Sequence, residues 1–340
     1  MSNLGPVIDL EVDVMANGNV FVTRELPEKA MEVLRSAPEI GELRVNPHDR
    51  VVTREELLDG VKWCDALLSL LTESIDAEVM DTQPSLKVIA NYAVGFNNVD
   101  VDAANERKIP VSNTPGVLTE TTADLAWTLL MSVARCIVPA DQFMRAGNYK
   151  GWAPLLYLGQ DIFGKTLGIV GLGRIGYAMA KRAQGFDMRV LYSDVDEKAY
   201  ASEVRAEFVD LDTLLNESDF VTLHPFLDDE TNHLMNEERL RMMKSTAYLI
   251  NASRGPVIDE KALAKALHEG WIAGAGLDVF EREPEMEPDL ADMENVVVVP
   301  HIASATVETR TKMGLIAADN VLAALRGDRP PTIVNPEIYD

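Results

Sequence analysis

Residues 166–176 read TLGIVGLGRIG, and the reading of this stretch decides the fold. The apolar run LGIV leads directly into Gly171, Gly173 and Gly176, and the segment IGYAMAKRAQGF that follows has the alanine and methionine spacing of a helix. Three glycines alone are a weak signal in a chain that contains 21. Strand, turn and helix in that order make them a phosphate-binding turn, because free N–H groups and the dipole at a helix N-terminus favour a pyrophosphate. Gly171 permits the tight bend, Gly173 lets backbone approach phosphate, and Gly176 lets the helix pack on the strand. The next apolar run, RVLYS, ends at Asp194. A carboxylate there accepts hydrogen bonds from both ribose hydroxyls of an adenosine and repels a 2′-phosphate. Val195 follows where an arginine would welcome that phosphate, so NAD(H) is favoured, while Lys198 leaves NADP(H) open.

Working outward, short apolar runs alternate with amphipathic ones on both sides of this turn. Upstream stand NVFVT, LPEKAMEVLRSA, CDALLSLL and LKVIANYAVG; downstream stand RVLYSDV, DFVTLHPF, TAYLINASRG, IAGAGLDVF and VVVVPHIA. Such runs are the pattern of parallel βαβ units buried on both faces. The expected fold is α/β, with two doubly wound Rossmann-like domains whose parallel sheets are separated by an active-site cleft. At 340 residues the chain is long enough for two cores. The expected division is an N-terminal extension over 1–17, a substrate domain over 18–116 with 305–333, and a nucleotide domain over 117–304. The first domain closes near IPVSNTPG, and a long helical stretch follows with Thr119 or Thr121 as N-cap. Its apolar residues cover more than one face, as in a core helix or a helix at a subunit contact. The tail 305–326 reads as a helix capped by Gly327, after which PPTIVNP returns, extended, to the first domain.

The formal charge is −24, from 31 Lys and Arg against 55 Asp and Glu. An acidic surface of this size repels nucleic acid and anionic membranes, and an anionic substrate needs a well-placed cation within the site. Solubility accounts for the acidity, and salt adaptation is an alternative source of it. Cys64 and Cys136 have no metal-ligand spacing, so no metal site is expected, and with no secretion signal at the N-terminus the reading is a cytoplasmic protein.

Three strand ends carry polar residues in apolar surroundings: NASRGPVID with Arg254, GLDVFEREP with Asp278 and Glu283, and VPHIASAT with His301. Each has a bland reading singly, as a surface ion pair, a solvated acid or a satisfied imidazole. Together they form a complete set for reducing a 2-oxo acid. Arg254 pairs with the substrate carboxylate, His301 exchanges a proton with the carbonyl oxygen, and Glu283 fixes the histidine tautomer and raises its pKa. Asp278 meets the nicotinamide carboxamide. Leu70, Leu71 and Trp152 suggest a small, partly apolar substrate pocket.

In order and over almost the whole chain, GLGRIG, NASRGPVID, GLDVFEREP and PHIASAT resemble the motifs of the D-isomer-specific 2-hydroxyacid dehydrogenases. The resemblance implies catalytic Arg254, Glu283 and His301, and a substrate carboxylate held by the N–H groups of Val94 and Gly95 in NYAVGFNNVD. It implies a homodimer with the helix and loop over 119–160 at the interface. Arg174 and Ile175 join the glycines in the expected cofactor site, with Thr122, His224, Ala252 and Arg254 around them. Several segments, VLTETTADLAWTLL among them, resemble the glyoxylate/hydroxypyruvate reductases most, and Trp152 would there approach the neighbouring subunit's pocket. Two departures stand out: Val195 lacks the arginine usual in NADPH-specific members, and His224-Pro225-Phe226-Leu227 moves a proline by one position. The expected activity is NAD(P)H-dependent reduction of glyoxylate or hydroxypyruvate. Other D-2-hydroxyacid dehydrogenases (phosphoglycerate, D-lactate or phenylpyruvate type) and an NAD-sensing corepressor-like docking protein are the alternatives.

Overall fold

In the computed structural model, which describes residues 17–340, LPEKAMEVLRSA forms a helix, and the other eight runs together with LGIV form nine strands. The expected N-terminal extension lies, but for Asn17, outside the described residues. The chain divides into two units: the described residues up to Pro115 with Arg310–Asp340, and Gly116–Thr309.

In the first unit the elements run β1 (Gly18–Val22), α1 (Glu28–Ser36), β2 (Ile40–Val45), α2 (Arg54–Trp63), β3 (Ala66–Ser69), α3 (Ala77–Thr82), β4 (Val88–Asn91), α4 (Val101–Glu106) and β5 (Val111–Ser112). The second unit continues with α5 (Thr119–Ala134), α6 (Ile137–Arg145), β6 (Thr166–Val170), α7 (Arg174–Gln184), β7 (Arg189–Ser193), β8 (Ala206–Phe208), α8 (Leu211–Glu217), β9 (Phe220–Leu223), α9 (Glu237–Met242), β10 (Tyr248–Asn251), α10 (Glu260–His268), β11 (Gly274–Leu277) and β12 (Val296–Val298). Helix α11 (Val307–Leu325) then carries the chain back to the first unit.

The first sheet has the order β2-β1-β3-β4-β5 and the second β12-β11-β10-β9-β6-β7-β8, with every strand pair parallel. Both are doubly wound orders, and each places a switch point where the strand order reverses: between β1 and β3, and between β6 and β9. Because successive strand residues face opposite sides, Phe21, Leu67 and Ile89 enter one core of the first unit while Val20, Val22, Leu68 and Ala90 enter the other. Ala317, Ala318, Val321 and Ala324 of α11 complete that second core.

Three strands escape the sequence reading. β2, IGELRV, is a half-exposed edge strand with charged residues at alternate positions; β5 is two residues long; β8 is a short, exposed edge. β2 and β8 carry too few buried apolar residues to read as runs, and β5, although buried, is too short to do so. The long helix after Thr119 is corrected twice. Its N-cap is Leu118, with no side-chain cap, so neither Thr119 nor Thr121 plays that part. It also breaks at Cys136, which adopts a left-handed conformation (φ 51°), and the two helices meet at 65°. Pro139 explains the break: in a continuous helix it would owe an N–H to the carbonyl of Arg135 and would clash with it. Helix α5 is a core helix of its own unit, with Leu129 and Val133 packed over Gly276 and Gly274 of β11. No single helix among the described residues is long and apolar enough to cross a membrane.

The tail follows the reading. Gly327 (φ 83°) ends α11, and Ile333 bridges Ser112 antiparallel while the Val334 N–H donates to the Val111 carbonyl at 2.7 Å.

Candidate active site

The glycine turn after β6 explains its own composition. A side chain at Gly171 (φ 88°) would lie 2.9 Å from the backbone of His224, so the two loops at the β6/β9 switch point touch through bare backbone. At Gly176 a Cβ would sit 2.2 Å from the Gly171 carbonyl oxygen, which lets the first turn of α7 close on the loop. Gly173 faces open space and stands at the N-cap of α7, where no side chain caps the helix. The N–H groups at Arg174, Ile175 and Gly176 therefore begin a helix without intrahelical acceptors, the usual cradle for an anion.

Asp194, at the end of β7, is tied to this turn. Its Oδ2 accepts from the Leu172 N–H at 2.9 Å, and its Oδ1 accepts from the Val195 N–H at 2.8 Å and from Lys198 Nζ at 3.1 Å. Tyr200 donates to the Leu172 carbonyl at 2.6 Å from the same loop. Across the switch point, His224 Nε2 bonds Thr222 Oγ1 at 2.9 Å, and its Nδ1 is shielded from solvent without a partner among the described residues. Burial pushes His224 down to about 3, so the ring is neutral. An uncapped helix start, an open Gly173 face, a fixed carboxylate and an orphaned imidazole nitrogen together fit a dinucleotide.

The strand ends of β10, β11 and β12, adjacent in the sheet, are stitched together. The Asp278 N–H donates to the Asn251 carbonyl at 2.9 Å, and the His301 N–H donates to the Asp278 carbonyl at 2.8 Å. Asn251 Nδ2 donates to the Arg254 carbonyl at 2.9 Å, shaping the arginine loop, and Gly255 lets that loop approach β11's exit so closely that a Cβ would meet the Phe280 oxygen at 1.8 Å. Arg254 Nη1 donates to the Ser253 carbonyl at 2.7 Å, and burial draws the guanidinium below its ordinary value against the field of Glu283.

At these strand ends a histidine and a glutamate form a pair. His301, with a left-handed backbone (φ 52°), bonds Glu283 Oε2 through Nδ1 at 2.9 Å, and Glu283 Oε1 accepts from the Phe280 N–H at 3.1 Å. Burial works to raise Glu283, but the His301 bond and field, the Phe280 N–H and Arg254 more than offset it, leaving the carboxyl below its ordinary value. His301 Nε2 keeps no partner among the described residues. Fully buried Asp278 holds the loop that presents this ring: its Oδ1 accepts from the Ile302 N–H at 2.6 Å and its Oδ2 from the Ala303 N–H at 2.9 Å. Burial is the main force lifting Asp278 to about 6, helped by Glu283 and opposed by the two N–H bonds and His301. This clamp, like the Asn251 clip, escapes the sequence reading; the signal available was a polar residue ending each apolar strand.

The remaining expected residues fall in several places. Thr122 is buried in the first turns of α5, and Ala252 is buried immediately after β10. Trp152 is 83% exposed in the loop after α6 and makes little contact with its own chain. Leu71, Val94 and Gly95 belong to the first unit, in the loops after β3 and β4.

Residues 127–303 match the family model described as D-isomer specific 2-hydroxyacid dehydrogenase, NAD binding domain. The chain is 53% identical over 323 residues to the glyoxylate reductase of Korarchaeum cryptofilum, covering 94% of this chain and 96% of that protein. Among solved structures it is similar to the TT0316 protein of Thermus thermophilus (TM-score 0.87, 46% identity, 93% of this chain and 99% of that one). It is also similar to an NADPH-dependent glyoxylate/hydroxypyruvate reductase of Sinorhizobium meliloti solved with NADP and malonate (TM-score 0.81, 32% identity, 94% and 97%). With its glycine turn, the aspartate closing β7 and its histidine–glutamate pair at adjacent strand ends, this chain belongs to the D-isomer-specific 2-hydroxyacid dehydrogenases.

Proposed function

We propose that the chain is a glyoxylate/hydroxypyruvate reductase, converting a small 2-oxo acid to the 2-hydroxy acid with NAD(P)H. The observation that carries this reading is the His301–Glu283 pair beside Arg254, at 2.9 Å. The bound nicotinamide supplies the hydride. His301 holds a proton at Nε2 and delivers it to the carbonyl oxygen, taking it back in the reverse direction, while Glu283 fixes the ring through Nδ1 and remains charged against it. The Arg254 fork pairs with the substrate carboxylate and polarises the carbonyl. Val94 and Gly95 contribute N–H groups to the carboxylate, and Leu71 lines the apolar side.

For the cofactor, the first-turn N–H groups from Gly173 through Gly176 take the pyrophosphate, and Asp194 takes the ribose hydroxyls. Thr122, His224, Ala252 and Arg254 border the nicotinamide half. Asp278, fully buried, holds the loop that presents His301. Asp194 favours NAD(H); its ion pair with Lys198 blunts the repulsion of a 2′-phosphate, so NADP(H) is admitted.

The assembly is a homodimer. Ile137, Met144, Trp152, Leu155, Leu158 and Phe163 are exposed along α6 and its loop, an apolar run that a second copy would cover. Trp152 then reaches the partner's substrate pocket. The protein works in the cytoplasm, where Cys64 and Cys136 stay reduced.

The test is the initial rate of NADH and NADPH oxidation with glyoxylate, hydroxypyruvate, pyruvate and phenylpyruvate. Fast turnover of either of the first two, with NADH preferred, is the expected result. Turnover of phenylpyruvate alone, or of none despite NADH binding, contradicts the assignment.

A further inference from the structure

The loop after β4, NYAVGFNN, carries a row of backbone donors held from behind. Three consecutive carbonyls are occupied within the first unit: Ala93 by the Thr114 N–H at 2.8 Å, Val94 by Asn113 Nδ2 at 2.8 Å, and Gly95 by Asn91 Nδ2 at 3.0 Å. These peptides are trans, so each N–H points opposite to its own carbonyl. The N–H groups of Val94, Gly95 and Phe96 are thereby turned away from those three donors, and among the described residues none of them donates a hydrogen bond. Successive unspent N–H groups in a loop form an anion-binding concavity.

Asn91 does more than hold one carbonyl. Its side chain is 1% exposed. Its Nδ2 also donates to Asn98 Oδ1 at 3.1 Å, and its Oδ1 accepts from Ser69 Oγ at 3.3 Å and Asn98 Nδ2 at 3.3 Å. Asn98 Nδ2 in turn donates to the carbonyls of Leu70 and Glu73, each at 3.0 Å, which anchors the loop bearing Leu71. An aspartate would fill the space at position 91 but could not donate to the Gly95 carbonyl.

We infer that Asn91 is a positioning residue for substrate, setting the N–H groups of Val94, Gly95 and Phe96 to receive a 2-oxo acid's carboxylate and tying them to the Leu71 loop. This rests on the reading above that the loop takes the carboxylate.

The test is kinetic, with a second measurement on the wild type. Asn91→Leu, isosteric and uncharged, raises KM for glyoxylate about tenfold and weakens inhibition by oxamate by the same factor, the loss of roughly one well-made hydrogen bond. It leaves kcat within about twofold and NADH affinity unchanged, a split that general loosening of the fold would not give. Should this variant not fold, Asn91→Asp retains the acceptor contacts and shows a larger rise in KM. In wild type labelled with 15N-glycine and 15N-phenylalanine, the Gly95 and Phe96 amide signals shift on adding oxamate. If those signals shift but KM and oxamate inhibition are unchanged in the folded variant, Asn91 has no positioning role although the loop remains the carboxylate site. If they do not shift, the carboxylate reading fails and the inference fails with it.

Discussion

The two doubly wound units solve the same problem, presenting polar groups at the C-terminal ends of parallel strands, with different materials. In the second unit the ends of β10, β11 and β12 present charged side chains, Arg254, Glu283 and His301, each fixed by its neighbour. In the first unit the end of β4 presents backbone N–H groups, fixed from behind by uncharged Asn91 and Asn113. Under the proposed function the difference follows from the task. Moving a proton would need a group that titrates, whereas holding a carboxylate in an acidic protein would need donors that add no bulk.

The comparison breaks most visibly at His301. His301→Ala should lower kcat by about 10³-fold, within the range for a lost general acid, with NADH affinity nearly unchanged by fluorescence titration. A variant that keeps most of its rate would move proton transfer elsewhere. Next in size is the Asp278 clamp, where burial raises the folded carboxyl to about 6. A raised carboxyl means the folded state holds this proton more tightly than the unfolded chain. The stabilisation is full below about pH 4 and is lost as pH rises through about 6. Urea unfolding of wild type and Asp278→Asn should therefore show wild-type stability falling relative to the variant between pH 4 and 7; parallel curves would show that Asp278 does not titrate there. Smallest is the ribose position: Asp194→Ala should weaken NADH about tenfold and NADPH less, and equal losses would mean that Asp194 does not read the ribose.

The same contrast explains what the sequence disclosed. Charged residues closing apolar strands are conspicuous, so Arg254, Glu283 and His301 stood out, as did Gly171, Gly173 and Gly176 between a strand and a helix. Val94 and Gly95 have no side-chain chemistry to display, and only the resemblance pointed to them. Asn91, the clip behind them, looks like any polar residue ending a strand, because its role depends on contacts seven residues away and across to Ser69. Asp278 was visible as a polar strand end, yet its grip on Ile302 and Ala303 depends on β11 and β12 being neighbours. The helix break at Cys136 was legible in principle from Pro139, but the apolar periodicity runs through it.

The most direct measurement reduces hydroxypyruvate with NADH carrying deuterium on the transferring face of nicotinamide C4 and determines the label and configuration of the glycerate formed. Direct hydride transfer, with the proton supplied by the enzyme, predicts D-glycerate deuterated at C2. Unlabelled product, or the L isomer, would contradict it.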